Sequence, residues 1–263
     1  MQMTKINPLD RLAIHTKAAE MQSELLGDFN TFIESMMLDQ SGEKISQGEI
    51  HRSWYEHIVD CQRRGMYAGL LCPWGHGKSF QMAVAYPAYR LALDTNIRIK
   101  VISASDEIAR DRVSVIKSMI EREDSLYAES FAHVRPDNNR SWTGSKIYLK
   151  RAGTSTDPSL EAISILSSRM GARADLIIFD DVVDLQNGVQ KPVMREKVKE
   201  AFRSGWLSRL EPNGQVVYIG TVWHEDDLSM ELLDNKQFSF LVQSVSPELD
   251  AIECRYTNKG NDE

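Results

Sequence analysis

The segment Cys72-Pro-Trp-Gly-His-Gly-Lys-Ser79 limits the fold more than any other part of the chain. It follows a short apolar run, Met66-Tyr-Ala-Gly-Leu-Leu71, and leads into a stretch, 78–93, whose apolar spacing predicts a helix. A glycine-bearing corner between strand and helix, ending in Lys-Ser, is what a phosphate-binding loop requires. Gly75 and Gly77 free the backbone to turn so that successive N–H groups face one anion. The helix starting near Lys78 adds the positive end of its dipole. The Lys78 ammonium can reach the outer phosphates of a nucleotide, and the Ser79 hydroxyl is a hard oxygen ligand suited to Mg²⁺. Trp74, Gly75, His76, Gly77, Lys78 and Ser79 are therefore the candidate nucleotide-binding residues. The usual loop opens on a glycine, and Cys72 stands in that position here.

Downstream, apolar runs of strand length alternate with helical stretches. Residues 97–104, 146–150, 162–166, 176–179, 216–220 and 238–245 read as strands, and 106–123, 190–210 and 225–235 as helices. Ser105 or Asp106 is suited to cap the first of these helices. Several strands are apolar throughout, which implies a mostly parallel central sheet with helices on both faces, an α/β fold. Upstream, apolar residues at spacings of three and four predict helical structure over 9–39, and Ile50, Trp54, Ile58 and Cys61 predict a helix over 49–62. The expected organisation is a helical N-terminal attachment over 1–45 outside the main core, an α/β domain over 46–250 and a polar tail over 251–263.

A phosphate loop needs a carboxylate on a neighbouring strand. Leu176-Ile-Ile-Phe-Asp180-Asp181 offers two acids at the end of an apolar strand, the edge where open α/β sheets bind ligands. Asp180 is the candidate Mg²⁺ residue, and Asp181 the candidate for orienting an attacking water. Val216-Val-Tyr-Ile-Gly-Thr221 is a further strand, whose Thr221 is placed to sense the outer phosphate. His224, Glu225, Asp226 and Asp227 suit a helix N-terminus better than a metal cluster, since no His/Cys ligand spacing accompanies them. Arg169 and Arg173, in a glycine-containing loop before the acidic strand, are candidates for neutralising transition-state charge. His51 and Arg52 are candidates for the neighbourhood of an adenine.

Composition removes several classes. Lys and Arg total 31 against 38 Asp and Glu, a formal charge of −7, whereas a passive nucleic-acid coat is normally basic. No apolar run approaches transmembrane length, so no membrane partner is expected. The three cysteines are widely spaced, which disfavours a disulfide framework.

Taken together, C-P-W-G-H-G-K-S, V-I-S-A-S-D-E-I-A-R, G-A-R-A-D-L-I-I-F-D-D and V-V-Y-I-G-T-V-W-H-E-D-D-L resemble the ATPase domain of phage terminase large subunits over about residues 50–235. The resemblance implies a P-loop NTPase of the additional-strand (ASCE) type that hydrolyses ATP with Mg²⁺ and drives double-stranded DNA into a procapsid. It implies a homo-oligomeric ring on a portal in the host cytoplasm, working with a terminase small subunit. It implies nucleotide and Mg²⁺ binding by Lys78 and Ser79, an acidic pair in Asp180 and Asp181, and coupling of hydrolysis to movement by Thr221. Arg169 then best matches an arginine finger acting on the adjacent subunit, with Arg173 second. Two departures are Trp74 and Val222, where the family often has arginine. Family members usually continue into a nuclease domain; on the length of this chain that domain is expected to be absent and supplied elsewhere. The alternatives are a helicase-like or repair DNA-dependent ATPase, and a two-metal nuclease using Asp180, Asp181 and Asp184.

Overall fold

The computed structural model describes residues 19–39, 41–122, 124–168, 171–243 and 254–256. After helical residues 19–27 come helices α1 (Phe29–Met36) and α2 (Glu49–Arg63), then strand β1 (Tyr67–Leu71). Helix α3 runs on from the phosphate loop through Lys78–Phe80, a π-widened Gln81–Ala85 and Tyr86–Leu93. Strand β2 (Ile99–Ser103) and helix α4 (Asp106–Glu121) follow, with Ser105 accepting from the Ile108 N–H as N-cap. Helix α5 (Leu126–Ser130), strands β3 (Lys146–Ile147), β4 (Leu160–Ser164) and β5 (Ala174–Asp180), helix α6 (Pro192–Glu200, extended by Ala201–Trp206), strand β6 (Leu210–Gly220), helix α7 (Leu228–Leu233) and strands β7 (Phe238–Val242) and β8 (Cys254–Tyr256) complete the order.

The strands form one sheet in the order β3-β4-β2-β5-β6-β1-β7-β8. The six from β4 to β7 are parallel, and β3 and β8 run antiparallel at the edges. Strand β6 lies between β1, which feeds the loop, and β5, which carries the acids. That insertion is the additional strand, and it brings the C-terminal ends of β1, β6 and β5 to a single edge. The fully buried Leu176, Ile177, Ile178 and Phe179 explain why β5 reads as a continuous apolar run: helices cover both faces. One face packs Leu70, Val101, Leu176, Ile178 and Val217 under α2, α3 and α4; the other packs Phe179, Phe202, Trp206 and Tyr218 under α6 and α7.

Two expectations about the ends of the chain are corrected. Helix α1 does not lie outside the main core: Phe29, Phe32 and Ile33 are fully buried in the same cluster as β1 and β2. The rings of Phe29 and Phe32 meet Tyr55, Tyr86, Tyr89 and Tyr127 at centroid distances of 5.0 to 6.2 Å. Within the expected polar tail, Cys254–Tyr256 adds an edge strand to β7. The strand expected over 146–150 shrinks to the two residues of β3, because Leu149 bridges to Pro136 instead.

Candidate functional site

The loop turns off β1 through two residues in the left-handed region, Gly75 (φ 85°) and Gly77 (φ 73°). An added Cβ would meet no atom within 4 Å at either, so backbone conformation and not crowding requires glycine. Gly77 caps α3, its carbonyl accepting from the Gln81 N–H at 2.9 Å. Cys72, at the position of the missing glycine, is buried, and burial pushes its thiol up to about 12, so it stays neutral. Its carbonyl accepts from the Lys78 Nζ and the Thr221 hydroxyl, both at 3.3 Å.

Lys78 is only 5% exposed, and its ammonium lies between three strand ends. Besides Cys72, Nζ donates to Thr221 Oγ1 at 2.6 Å and pairs with Asp181 Oδ1 at 3.3 Å. Ser79 Oγ donates to Asp180 Oδ1 at 2.6 Å, although 101 residues separate the two. Asp180 is fully buried at the end of β5. Asp181 turns away from the strand with φ 44°, a left-handed conformation that aspartate tolerates better than most residues. Burial raises the pKa of Asp181, opposed by the Lys78 charge and reinforced by Asp180.

The structure thus joins Lys78, Ser79, Asp180, Asp181 and Thr221 at one sheet edge. A hydroxyl and a carboxylate in contact form the hard oxygen set that Mg²⁺ takes. Ser103, paired in register with Asp180 on β2, keeps a buried Oγ with no hydrogen-bond partner among the described residues. That orphaned oxygen suits the water shell Mg²⁺ usually retains. The chain's residues therefore fit the cation.

Other candidates lie elsewhere. Arg173 is not part of this site. It precedes β5, 3.7 Å from Glu211, at the opposite end of a strand of seven residues. At about 3.3 Å per residue that is some 20 Å from the acids. Arg169 lies outside the described residues. Trp74 turns outward, 65% exposed, and packs against Trp223 at 5.2 Å between centroids. Asp184 is the N-cap of the following turn, accepting from the Asn187 N–H at 2.8 Å, which removes it from a three-aspartate nuclease set. Asp227 caps α7, accepting from Met230, Trp223 and His224, as expected for an acidic helix start. Among the described residues no group of three or more His, Cys, Asp or Glu side chains is placed to hold a metal by itself. No described helix is long and apolar enough to cross a membrane.

Sequence reasoning missed Arg112. On α4, it donates through Nε to Asp180 Oδ2 at 3.0 Å. The sequence carried no signal for it, because no single segment shows that β2, which leads into α4, lies beside β5. A cavity of about 750 Å³ opens beside the loop, lined by Ile45, Ile50, His51, Phe80 and Val84, and also by Gly75, Gly77 and Arg112. His51 receives the Gly48 N–H on Nδ1 at 3.3 Å and meets the His76 carbonyl through Nε2 at 3.2 Å. Arg52 points away into an ion pair with Glu34.

No protein-family model matches the chain. A terminase large subunit of Enterobacteria phage T3 is 29% identical over 184 residues, covering 64% of this chain and 28% of the T3 protein. The crystal structure of the HK97 bacteriophage large terminase superposes with a TM-score of 0.55 at 16% identity, over 80% of this chain and 40% of that one. The chain therefore spans well under half the length of either relative. In sequence its resemblance is to a phage terminase large subunit, and its fold is the α/β P-loop architecture that the HK97 large terminase shares.

Proposed function

We propose that the chain is the Mg²⁺-dependent ATPase motor of a phage DNA-packaging machine. The observation that carries the reading is the meeting of Lys78, Ser79, Asp180, Asp181 and Thr221 at one sheet edge. The loop amides from Gly75 to Ser79 and the Lys78 ammonium bind the phosphate tail. Ser79 and Asp180 would hold Mg²⁺, which would supply charge neutralisation to the phosphates when bound. Asp181 orients the attacking water and accepts its proton; its raised pKa and partial burial suit a base screened from solvent. The cavity with Ile45, Ile50, Phe80 and Val84 receives the base and ribose, an apolar slot of the usual size for such ligands. Thr221, on the strand between loop and acids, relays the state of the phosphate to the segment that follows it.

Support for DNA packaging, as against ATP hydrolysis alone, comes from the similarity to the T3 and HK97 terminases. On this reading double-stranded DNA is the substrate moved and the motor is a ring of copies on a portal. A small subunit works with it, and Arg169 is the finger that reaches a neighbouring copy. Asp184 is spent on a cap, so nothing favours the nuclease reading.

The test is ATP turnover by the purified chain, alone and with procapsids and DNA. Turnover stimulated by both, and lost in Lys78→Ala by at least about 100-fold, is the expected result. Turnover unaffected by Lys78→Ala overturns the site. ATP-driven strand separation without packaging favours the helicase alternative.

A further inference from the structure

The mechanism above leaves Arg112 unused, yet its guanidinium holds the Asp180 oxygen opposite Ser79. Asp180 accepts from Ser79 on Oδ1 at 2.6 Å and from Arg112 Nε on Oδ2 at 3.0 Å. With both oxygens taken and the carboxylate fully buried, the acid is neutralised by an internal cation. A cation held by Asp180 would take over that role. Arg112 is then left with a permanent charge and an empty partner position.

Three observations say where it goes. Both Nη atoms of Arg112 lack a hydrogen-bond partner among the described residues, since the only bond made by the side chain is through Nε. A third of the side chain is exposed, so it is free to turn. It also lines the same cavity as Gly75, His76 and Gly77, the backbone that faces the phosphates. A guanidinium with two free donors beside an anion-binding loop has the fork geometry that pairs with phosphate oxygens.

Resting on the proposed nucleotide site, we infer that Arg112 is a further phosphate-binding residue that exchanges partners. It pairs with Asp180 as seen here, and its guanidinium would pass to the phosphate tail when a divalent cation takes the Asp180 carboxylate. Acting within one chain, it needs no neighbouring subunit.

The experiment measures the Kd of a fluorescent, non-hydrolysable ATP analogue for the whole chain, in Mg²⁺ and in EDTA. Arg112→Lys is the informative variant, because lysine keeps the charge beside Asp180 but loses the fork. The expected result is a Kd raised about fivefold in Mg²⁺ and unchanged in EDTA, where the guanidinium has no reason to leave Asp180. Arg112→Ala, which strips Asp180 of its cation, is expected to raise Kd in both media. Its fold is checked by its melting temperature, and the lysine variant carries the test if alanine does not fold. An Arg112→Lys Kd equal to wild type in Mg²⁺, or raised equally in both media, overturns the exchange. Failure of the wild-type chain to bind the analogue at all would instead remove the nucleotide site on which the inference rests.

Discussion

Lys78 and Thr221 stand 143 positions apart in sequence, and the Lys78 ammonium donates to the Thr221 hydroxyl at 2.6 Å. The same hydroxyl donates to the Cys72 carbonyl, so one threonine fastens the start of the loop and its lysine to the end of β6. This contact exists because β6 is inserted between the loop strand and the acidic strand. Thr221→Val keeps the shape and removes both bonds. A hydrogen bond to a charged group is worth about 1.5–3 kcal/mol, so turnover is expected to fall by roughly 10- to 100-fold. Thr221→Ser restores the bond and most of the rate. Steady-state turnover of the two variants side by side checks this; equal losses in both would show that the hydroxyl's bonds do not account for the effect.

The two aspartates predict opposite phenotypes. Asp180 is buried and bonded to Ser79, whereas Asp181 touches Lys78 and has a pKa raised by burial. Asp181→Asn removes a base and is expected to lower turnover by about 10²- to 10⁴-fold while leaving nucleotide binding near wild type. Asp180→Asn removes a charge from the cation site and is expected to raise the Mg²⁺ concentration needed for binding. Paired measurements of binding and turnover decide the matter. A variant pair with interchanged defects would reverse the roles of the two acids.

His51 gives the loop a pH dependence. Gly48 donates its N–H to Nδ1, so the ring proton sits on Nε2 and donates to the His76 carbonyl. Protonating Nδ1 breaks the first bond. Burial, the larger cause, also lowers the folded-state pKa below the ordinary histidine value. A depressed histidine pKa means that the unfolded chain takes up the proton first. Stability is therefore intact above about pH 6.5 and declines as pH falls from there towards the folded-state value. Melting temperatures between pH 8 and pH 5 should fall more for wild type than for His51→Gln, which retains a donor for His76. Parallel curves would show that another group governs the acid limb.

The part of the site legible in sequence was the part held by local chemistry. Gly75, Gly77, Lys78 and Ser79 sit in one turn, and Asp180 and Asp181 end one apolar strand, so spacing alone located them. Of the strand order only the presence of an additional strand was legible, and that through the resemblance, because hydrogen bonding between β6 and its two neighbours leaves no mark on any single segment. Arg112 was illegible for the same reason. It lies one face of a helix away from an acid 68 residues downstream, in a run, Arg110-Asp-Arg112, that reads as solvated helix surface. Arg173 shows the converse: nearness in sequence to Asp180 conceals the length of β5, which carries the two to opposite ends of the strand within one chain.

Helix α1 was misread because its pattern is that of any amphipathic surface helix, and only the packing reveals what it covers. Phe29 is fully buried, with Tyr55 at 5.0 Å, Tyr89 at 5.3 Å and Tyr86 edge-on at 5.5 Å. Tyr86 and Tyr89 belong to α3, the helix that begins at the phosphate loop. If α1 were a detachable attachment, Phe29→Ala would cost little and leave α3 undisturbed. Buried as it is, the substitution opens a cavity among aromatic rings and is expected to cost about 3–5 kcal/mol, with the aromatic near-ultraviolet signal changed. Because none of these rings lines the cavity beside the loop, analogue affinity in the fraction still folded should stay near wild type. Denaturant unfolding with a parallel binding titration measures both. A loss below about 1 kcal/mol would return α1 to the surface, outside the core that supports the loop.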